Sequence, residues 1–260
     1  MRSIDFQLTL IESAQVFHWR AFGDTYAAVV DGRILTSADN SPEAAFYFDD
    51  QRDYSLIADE CGCFEKAAEA VRLLPGLKVL NQPAWEALVA FILSANNNVK
   101  RIRNLVFSLC EKYGKPFEYN GNILYGFPQP DVLARLDPAK LKIEVTMGYR
   151  AEYLVETARM IEDGFDLEAL RNTETEEARK RIMQLKGVGP KVADCVLLFG
   201  LGHADAFPVD VWVARLMESW FGVNGSREHM CAEARRLLGP HCGLIQQALF
   251  HAARTGKIEL

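Results

Sequence analysis

Lys191 and Asp210 are the two side chains whose types and spacing invite chemistry. Lys191 lies in Leu185-Lys186-Gly187-Val188-Gly189-Pro190-Lys191-Val192-Ala193-Asp194-Cys195, and Asp210 in Pro208-Val209-Asp210-Val211-Trp212. Pro190 suits the first position of a helix, which puts Lys191 in the first turn. A helix N-terminus is already positive and disfavours a cation, and a helix built only to pack would carry Asp or Glu there. The misfit marks Lys191 as a candidate nucleophile. A lysine ordinarily holds its proton up to about pH 10.4, and freeing the amine near neutrality costs roughly 4 kcal/mol. The helix terminus supplies only about 0.3–1 kcal/mol. Desolvation in a closed pocket must do the rest.

Asp210 precedes the apolar helical stripe Trp212, Val213, Leu216 and Met217, so it reads as an N-cap. The same carboxylate would stabilise positive charge growing on a sugar as a glycosidic bond breaks through an oxocarbenium-like state. Cys195 follows Lys191 by one helical turn and shares its face. It is either a core thiol or a polarisable wall beside the amine.

These groups need a scaffold. Gly187 and Gly189 are read as allowing a tight turn with positive φ between two helices. The resulting helix–hairpin–helix aims backbone N–H groups at a helix N-terminus, a phosphate seat that needs no Lys or Arg. Upstream, Ile4, Phe6, Leu8 and Leu10 alternate with polar residues and predict a strand. Asp31-Gly32 between apolar runs predicts a hairpin, and Phe46, Tyr47 and Phe48 predict a further strand. From about residue 63 the pattern is helical, with a helix start near Pro83 and helices expected over 99–113, 152–163, 176–185, 190–200, 210–221, 226–238 and 243–254. The expected fold class is α+β: an antiparallel β domain over 1–80, a helical subdomain over 81–170, and the hairpin-bearing helical subdomain over 171–260.

A chain of 260 residues, 49% hydrophobic and 25% charged, can bury a core without staples. No apolar run approaches the roughly 18 residues of a membrane span. The N-terminus carries Arg2 and Asp5 inside its first apolar stretch and is not read as a signal peptide. The expectation is an intracellular protein, in the cytoplasm or nucleoid of a prokaryote or the nucleus of a eukaryote, and a monomer. The six cysteines (61, 63, 110, 195, 231 and 242) lack paired metal-site spacing and are read as reduced thiols. A net charge of −6 argues against nucleic acid at first sight, yet residues 96–150 hold 9 basic and 5 acidic side chains. That island is either a solvated face or a phosphate-contacting footprint.

In these motifs the chain resembles the helix–hairpin–helix/Gly-Pro-Asp DNA glycosylases, in their 8-oxoguanine DNA glycosylase/lyase branch. The residues carrying the resemblance are Leu185 to Cys195, Pro208-Val209-Asp210, Ser94-Ala95-Asn96-Asn97-Asn98, Gly148-Tyr149-Arg150 and Gln246-Gln247-Ala248-Leu249-Phe250. It runs from about residue 8 to 254. It implies a β domain like one half of a TATA-binding protein, two helical subdomains, and an active site between the helical parts. It makes Lys191 the Schiff-base nucleophile on C1′ and Asp210 its electrostatic and proton-handling partner. The partner would be duplex DNA containing an oxidised guanine, with the damaged base flipped into a pocket. Cys195 and Phe250 would sandwich that base, Gln246 would bond its Watson–Crick edge, and the Ala14 carbonyl would accept from N7–H. Asn96 would fill the gap, Tyr149 would wedge the stack, and Arg101 and Arg150 would read the opposite cytosine. Gly187, Val188, Gly189 and Trp212 would meet DNA phosphate. No cofactor is implied, though carbonyls near Met183, Leu185 and Val188 could hold a monovalent ion. Ala14 and Trp212 depart from the Gly and His of many relatives.

Other readings remain open at this point. An alkylated-base glycosylase of the same superfamily typically works without the lysine. An iron–sulfur relative needs four closely spaced cysteines after the hairpin, and only Cys231 and Cys242 follow residue 195. A non-catalytic DNA-binding protein would need neither Lys191 nor Asp210.

Overall fold

The computed structural model describes residues 3–62 and 64–259, apart from the side chain of Glu60, so Cys63 lies outside the described residues. The first secondary structure corrects the expected strand: Gln7–Glu12 is a wide π-helical turn. Asp5 decides this locally, because its carboxylate accepts from Leu8 N at 2.9 Å and caps the turn. Ser13 N then reaches back to Leu8 O at 2.9 Å. Leu8, Thr9 and Leu10 are thereby buried together.

Three antiparallel strands follow: β1 (Arg20–Phe22), β2 (Thr25–Val30) and β3 (Arg33–Thr36), in that order across the sheet. The β2–β3 turn is the expected hairpin, with Val30 paired to Arg33 and Asp31 and Gly32 at φ 48° and 71°. Both central residues lie in the left-handed region that a type I′ turn demands. The second correction is at Phe46–Phe48, where the structure has helix α1 (Pro42–Tyr47). Ser41 caps it through its hydroxyl, with Pro42 in the first turn, and these start signals outweigh the aromatic run.

Helices α2 (Glu65–Arg72), α3 (Ala84–Ser94) and α4 (Val99–Tyr113) come next. A two-stranded hairpin, β4 (Pro116–Tyr119) with β5 (Asn122–Tyr125), then interrupts the stretch expected to be wholly helical. Its Asn120-Gly121 turn, at φ 49° and 73°, is a hairpin signal that the surrounding helical pattern had masked. The hairpin has a packing role. Ala28 and Val30 of β2 face one core with Leu10, Trp19, Leu35 and Phe48. Ala27 and Val29 face the other way, onto Leu124 and Phe117. The period of two along β2 thus covers both faces of the small sheet.

The remaining helices are α5 (Pro130–Ala134), α6 (Pro138–Glu144), α7 (Arg150–Glu162), α8 (Thr175–Ile182), α9 (Pro190–Gly200), α10 (Val211–Phe221), α11 (Arg227–Leu238) and α12 (Cys242–Arg254). α3 is the central strut: every residue but Trp85 is buried. α9 crosses it closely at Gly200, where an added Cβ would come within 3.0 Å of Ala87 Cβ. Phe91 of α3 and Phe199 of α9 stack with centroids 5.4 Å apart. The start of α12 is pressed on the loop before α10, since a Cβ at Gly243 would lie 2.3 Å from Ala206 O. These two close approaches hold α3, α9, α12 and the 201–210 loop around one point. Among the described residues no helix is long and apolar enough to cross a membrane.

Candidate active site

That point is a cavity of about 50 Å³, lined by Phe91 from α3, Lys191, Cys195 and Phe199 from α9, Pro208 and Asp210, Gln246, Gln247 and Phe250 from α12, and Ala14. Lys191 is half-buried. Its amine sits 3.4 Å from Ser94 Oγ and 5.4 Å from the centroid of Phe91. Ser94 and Phe91 supply a hydroxyl and a ring face beside the cation, and no carboxylate forms an ion pair with it among the described residues.

Asp210 caps α10: its Oδ1 accepts from Trp212 N and Val213 N, each at 2.9 Å. The two bonds fix the carboxyl group and hold its charge at a positive helix end. Cys195 is buried, and burial pushes its thiol up to about 11, with the Lys191 charge working the other way. It is therefore a neutral, apolar wall at pH 7 and no rival nucleophile. Gln246 donates from Nε2 to Pro208 O at 2.9 Å, while its buried Oε1 has no donor among the described residues. Phe250 lies beneath Arg254, whose guanidinium is 5.6 Å from the ring centroid.

A second group of side chains surrounds the α3–α4 turn and the start of α7. Asn96, at φ 51°, donates to Tyr149 Oη at 3.2 Å, and Tyr149 is 44% exposed. Arg150 is buried. It donates to Ala95 O from Nε at 3.0 Å and again from Nη2, and to Met147 O at 3.2 Å. Arg101 is exposed, and its side chain donates to Thr146 O at 3.2 Å. Asn96 and Tyr149 line a groove that continues along Met183 to Gly189, with Arg150 buried behind them.

The hairpin itself is pinned to α7 by Thr157 Oγ1, which donates to Lys186 O at 2.8 Å. Gly187 has φ 79°. Gly189 departs from the expected positive φ: it is the N-cap of α9 at φ −92°, because Gly187 alone completes the turn. α8 also stops at Ile182 rather than 185, its end tightening through Leu185 N to Ile182 O at 3.1 Å. Trp212 is half-buried, and Arg215 lies 5.8 Å from its ring centroid. Phe91, Ser94, Phe199 and Gln247 were not singled out for the site by sequence reasoning. Their place depends on the α3–α9 crossing and on α12, and only the Ser94-to-Asn98 motif hinted at the first.

Among the described residues no group of three or more His, Cys, Asp or Glu is placed to hold a metal ion. Cys110, Cys195, Cys231 and Cys242 are buried free thiols, and Cys61 is buried as well.

Residues 89–240 match the HhH-GPD superfamily base excision DNA repair protein family. A probable N-glycosylase/DNA lyase of Methanothermobacter thermautotrophicus is 32% identical over 205 residues, 71% of this chain and 66% of that protein. The chain spans 66% or less of the length of the first curated relatives it matches. Among solved structures, MBOgg1 in complex with a low-affinity DNA ligand is 32% identical at a TM-score of 0.90, covering 99% of this chain and 94% of that one. The Clostridium acetobutylicum 8-oxoguanine glycosylase/lyase, bound to duplex DNA with cytosine opposite 8-oxoguanine, is 30% identical with the same TM-score and coverage. The strand-then-helix order, the hairpin ahead of Lys191 and these matches together make the chain a member of the HhH-GPD superfamily of base excision DNA repair proteins, in the branch of the 8-oxoguanine glycosylase/lyases.

Proposed function

We propose that this protein removes 8-oxoguanine, paired with cytosine, from duplex DNA through an imine on Lys191, and then cuts the strand by β-elimination. The observation that carries this reading is one cavity holding an amine, a fixed carboxylate and an unpartnered buried amide oxygen: Lys191, Asp210 and Gln246. An amine and a carboxylate suffice for the bond chemistry, and the amide oxygen suits the N1–H and N2–H donors of a guanine edge.

The neutral Lys191 amine attacks C1′ as the C1′–N9 bond breaks, and the base leaves with the bonding electrons and takes up a proton. Asp210 stabilises the positive charge on the sugar during this step. Opening of the sugar ring gives the imine, whose electron sink allows loss of a C2′ proton and departure of the 3′ phosphate. Hydrolysis then frees Lys191. Base entry would place the purine between Cys195 and Phe250, which line the same cavity. The entering base would displace water and complete the desolvation of Lys191.

Asn96 and Tyr149 would occupy the gap left by the flipped base. Arg101 is the freer donor for the orphaned cytosine, whereas Arg150 must release a carbonyl of Ala95, Asn96 or Met147 to take part. The Gly187-Val188-Gly189 amides and the Trp212 indole would face phosphate, and the carbonyls of Met183, Leu185 and Val188 would hold a monovalent cation once DNA is bound. The units 1–80, 81–170 and 171–260 would act as sheet buttress, opposite-strand reader and catalytic subdomain.

Borohydride trapping on a duplex bearing 8-oxoguanine opposite cytosine tests the reading. Wild type should give a covalent complex, and Lys191→Gln none. Trapping that persists in the variant, or release of an alkylated base in preference to 8-oxoguanine, refutes it.

A further inference from the structure

Ala14 is held in the left-handed region at φ 60°, which an L-residue with a Cβ resists. The backbone around it is fastened from outside. Glu12 O accepts from Arg254, Ser13 O from Gln247 Nε2 at 2.8 Å, and Gln15 O from Gln82 Nε2 at 2.8 Å. Gln15 adds its own bonds, donating to Lys78 O and accepting from Leu80 N, each at 2.8 Å. Of the four carbonyls from Glu12 to Gln15, only that of Ala14 has no donor among the described residues, and Ala14 lines the cavity.

Two of the three fastenings come from α12. Gln247 is 2% exposed, and Arg254 lies seven residues on, two turns along the same face. Gln246 and Phe250 project from the same helix into the cavity. One rigid element therefore carries the free Oε1 acceptor of Gln246 and holds the segment bearing the free Ala14 carbonyl. The spacing between those two acceptors is set by Gln247 and Arg254.

We infer that Gln247, with Arg254, is a positioning residue that aims the Ala14 carbonyl into the cavity and thereby sets the preference for a purine carrying N7–H over one whose N7 is an acceptor. An aimed carbonyl attracts the first and repels the second. The inference rests on the functional reading above. Without Gln247 the strained Ala14 backbone is free to relax, and the carbonyl turns away while Lys191, Asp210 and Gln246 stay in place.

The test uses the full chain with Gln247→Met, which keeps the side-chain length and removes the donor. Three quantities are read: single-turnover excision of 8-oxoguanine opposite cytosine, strand cleavage at a preformed abasic site, and affinity for 8-oxoguanine and guanine duplexes in a Lys191→Gln background. Excision should fall at least tenfold, abasic cleavage should stay within twofold, and the 8-oxoguanine-to-guanine affinity ratio should shrink by a factor similar to the loss of excision. Should Gln247→Met fold poorly, Arg254→Met should show the same split and Arg254→Lys, which keeps a donor, should restore it. Equal loss of excision and abasic cleavage, or an unchanged affinity ratio, overturns the inference. Wild-type protein that binds the two duplexes alike would refute the functional reading, and this inference with it.

Discussion

Gln246 donates to the Pro208 carbonyl at 2.9 Å and leaves its own buried Oε1 without a donor. One end of the amide anchors the loop that presents Asp210, and the other end is idle in the free protein. A buried acceptor without a partner costs about 1–3 kcal/mol, and that cost would be recovered when a guanine edge arrives. Gln246→Met removes the idle acceptor and the anchoring donor together, so the two stability effects oppose. Its melting temperature should move by no more than a few degrees, while 8-oxoguanine excision falls at least tenfold. Unchanged excision would mean that the base is read elsewhere.

Asp210 caps α10, and substitutions separate that role from the chemical one proposed for it. Asn caps helices about as well as Asp, whereas Ala costs about 1 kcal/mol. Asp210→Asn should therefore unfold within about 0.5 kcal/mol of wild type yet excise roughly 100- to 1,000-fold more slowly, the range for removing one preorganised electrostatic group. Single-turnover excision and urea denaturation on the same preparation decide it. Near-normal excision in Asp210→Asn would reduce Asp210 to a helix cap.

Glu86 gives the stability a pH dependence. Its buried Oε1 accepts from Asp31 N at 2.9 Å, and burial raises its pKa to about 8. His18, 3.8 Å from Glu86, is driven down to about 3, first by burial and then by the Arg103 charge. Near neutral pH the contact therefore joins two mainly uncharged groups and is no ion pair. A carboxyl raised on folding contributes stability that is present below its unfolded value and lost as pH rises through the folded one. His18 acts oppositely, removing stability as pH falls below about 6.5. The two slopes offset between about pH 4.3 and 6.5. Above that window Glu86 acts alone, and its contribution should fall by about 2 kcal/mol between pH 6.5 and 8. Glu86→Gln keeps an acceptor for Asp31 N and should flatten this slope in urea titrations at the two pH values. An identical slope in both proteins would assign the pH dependence to other groups.

Legibility in the sequence followed how local the deciding interaction is. Helices α4 and α9 have the expected bounds, because Asn98 and Gly114 mark the two ends of α4 and Pro190 the start of α9 by short-range chemistry. The Asp31-Gly32 turn is equally local. The alternation from Ile4 to Leu10 misled because a single carboxylate, Asp5, caps a helical turn there, and the aromatic run at residue 46 misled because Ser41 and Pro42 start a helix. At the site, the Lys191–Cys195 helical spacing and the Asp210 cap are visible in one segment each. Ser94 beside Lys191 is not, because it depends on a helix crossing between residues 97 positions apart. The left-handed Ala14 is not visible either, since a non-glycine in that region is held by distant partners such as Gln247.

The two glycines of the hairpin should respond differently to the same change. At Gly187, with φ 79°, an added Cβ would lie 2.6 Å from Tyr153 Cδ2. Gly187→Ala combines left-handed strain of about 1–2 kcal/mol with an overpacking cost of about 1–3 kcal/mol, so it should lose roughly 2–5 kcal/mol of stability. At Gly189, with φ −92°, an added Cβ meets nothing within 4 Å. The protein's own packing therefore does not demand glycine there, and Gly189→Ala should cost only about 0.5–1 kcal/mol as a poorer N-cap. Open space over a helix N-terminus is where a phosphate would lie against the amides, and a methyl would push it away. Gly189→Ala should thus fold almost normally but bind undamaged duplex more weakly. No side-chain cation is removed, so the loss should be nearly the same at low and moderate salt rather than growing with counterion release. Wild-type DNA affinity in Gly189→Ala would take the phosphate off this turn and leave the contacts to the basic segment around Arg101.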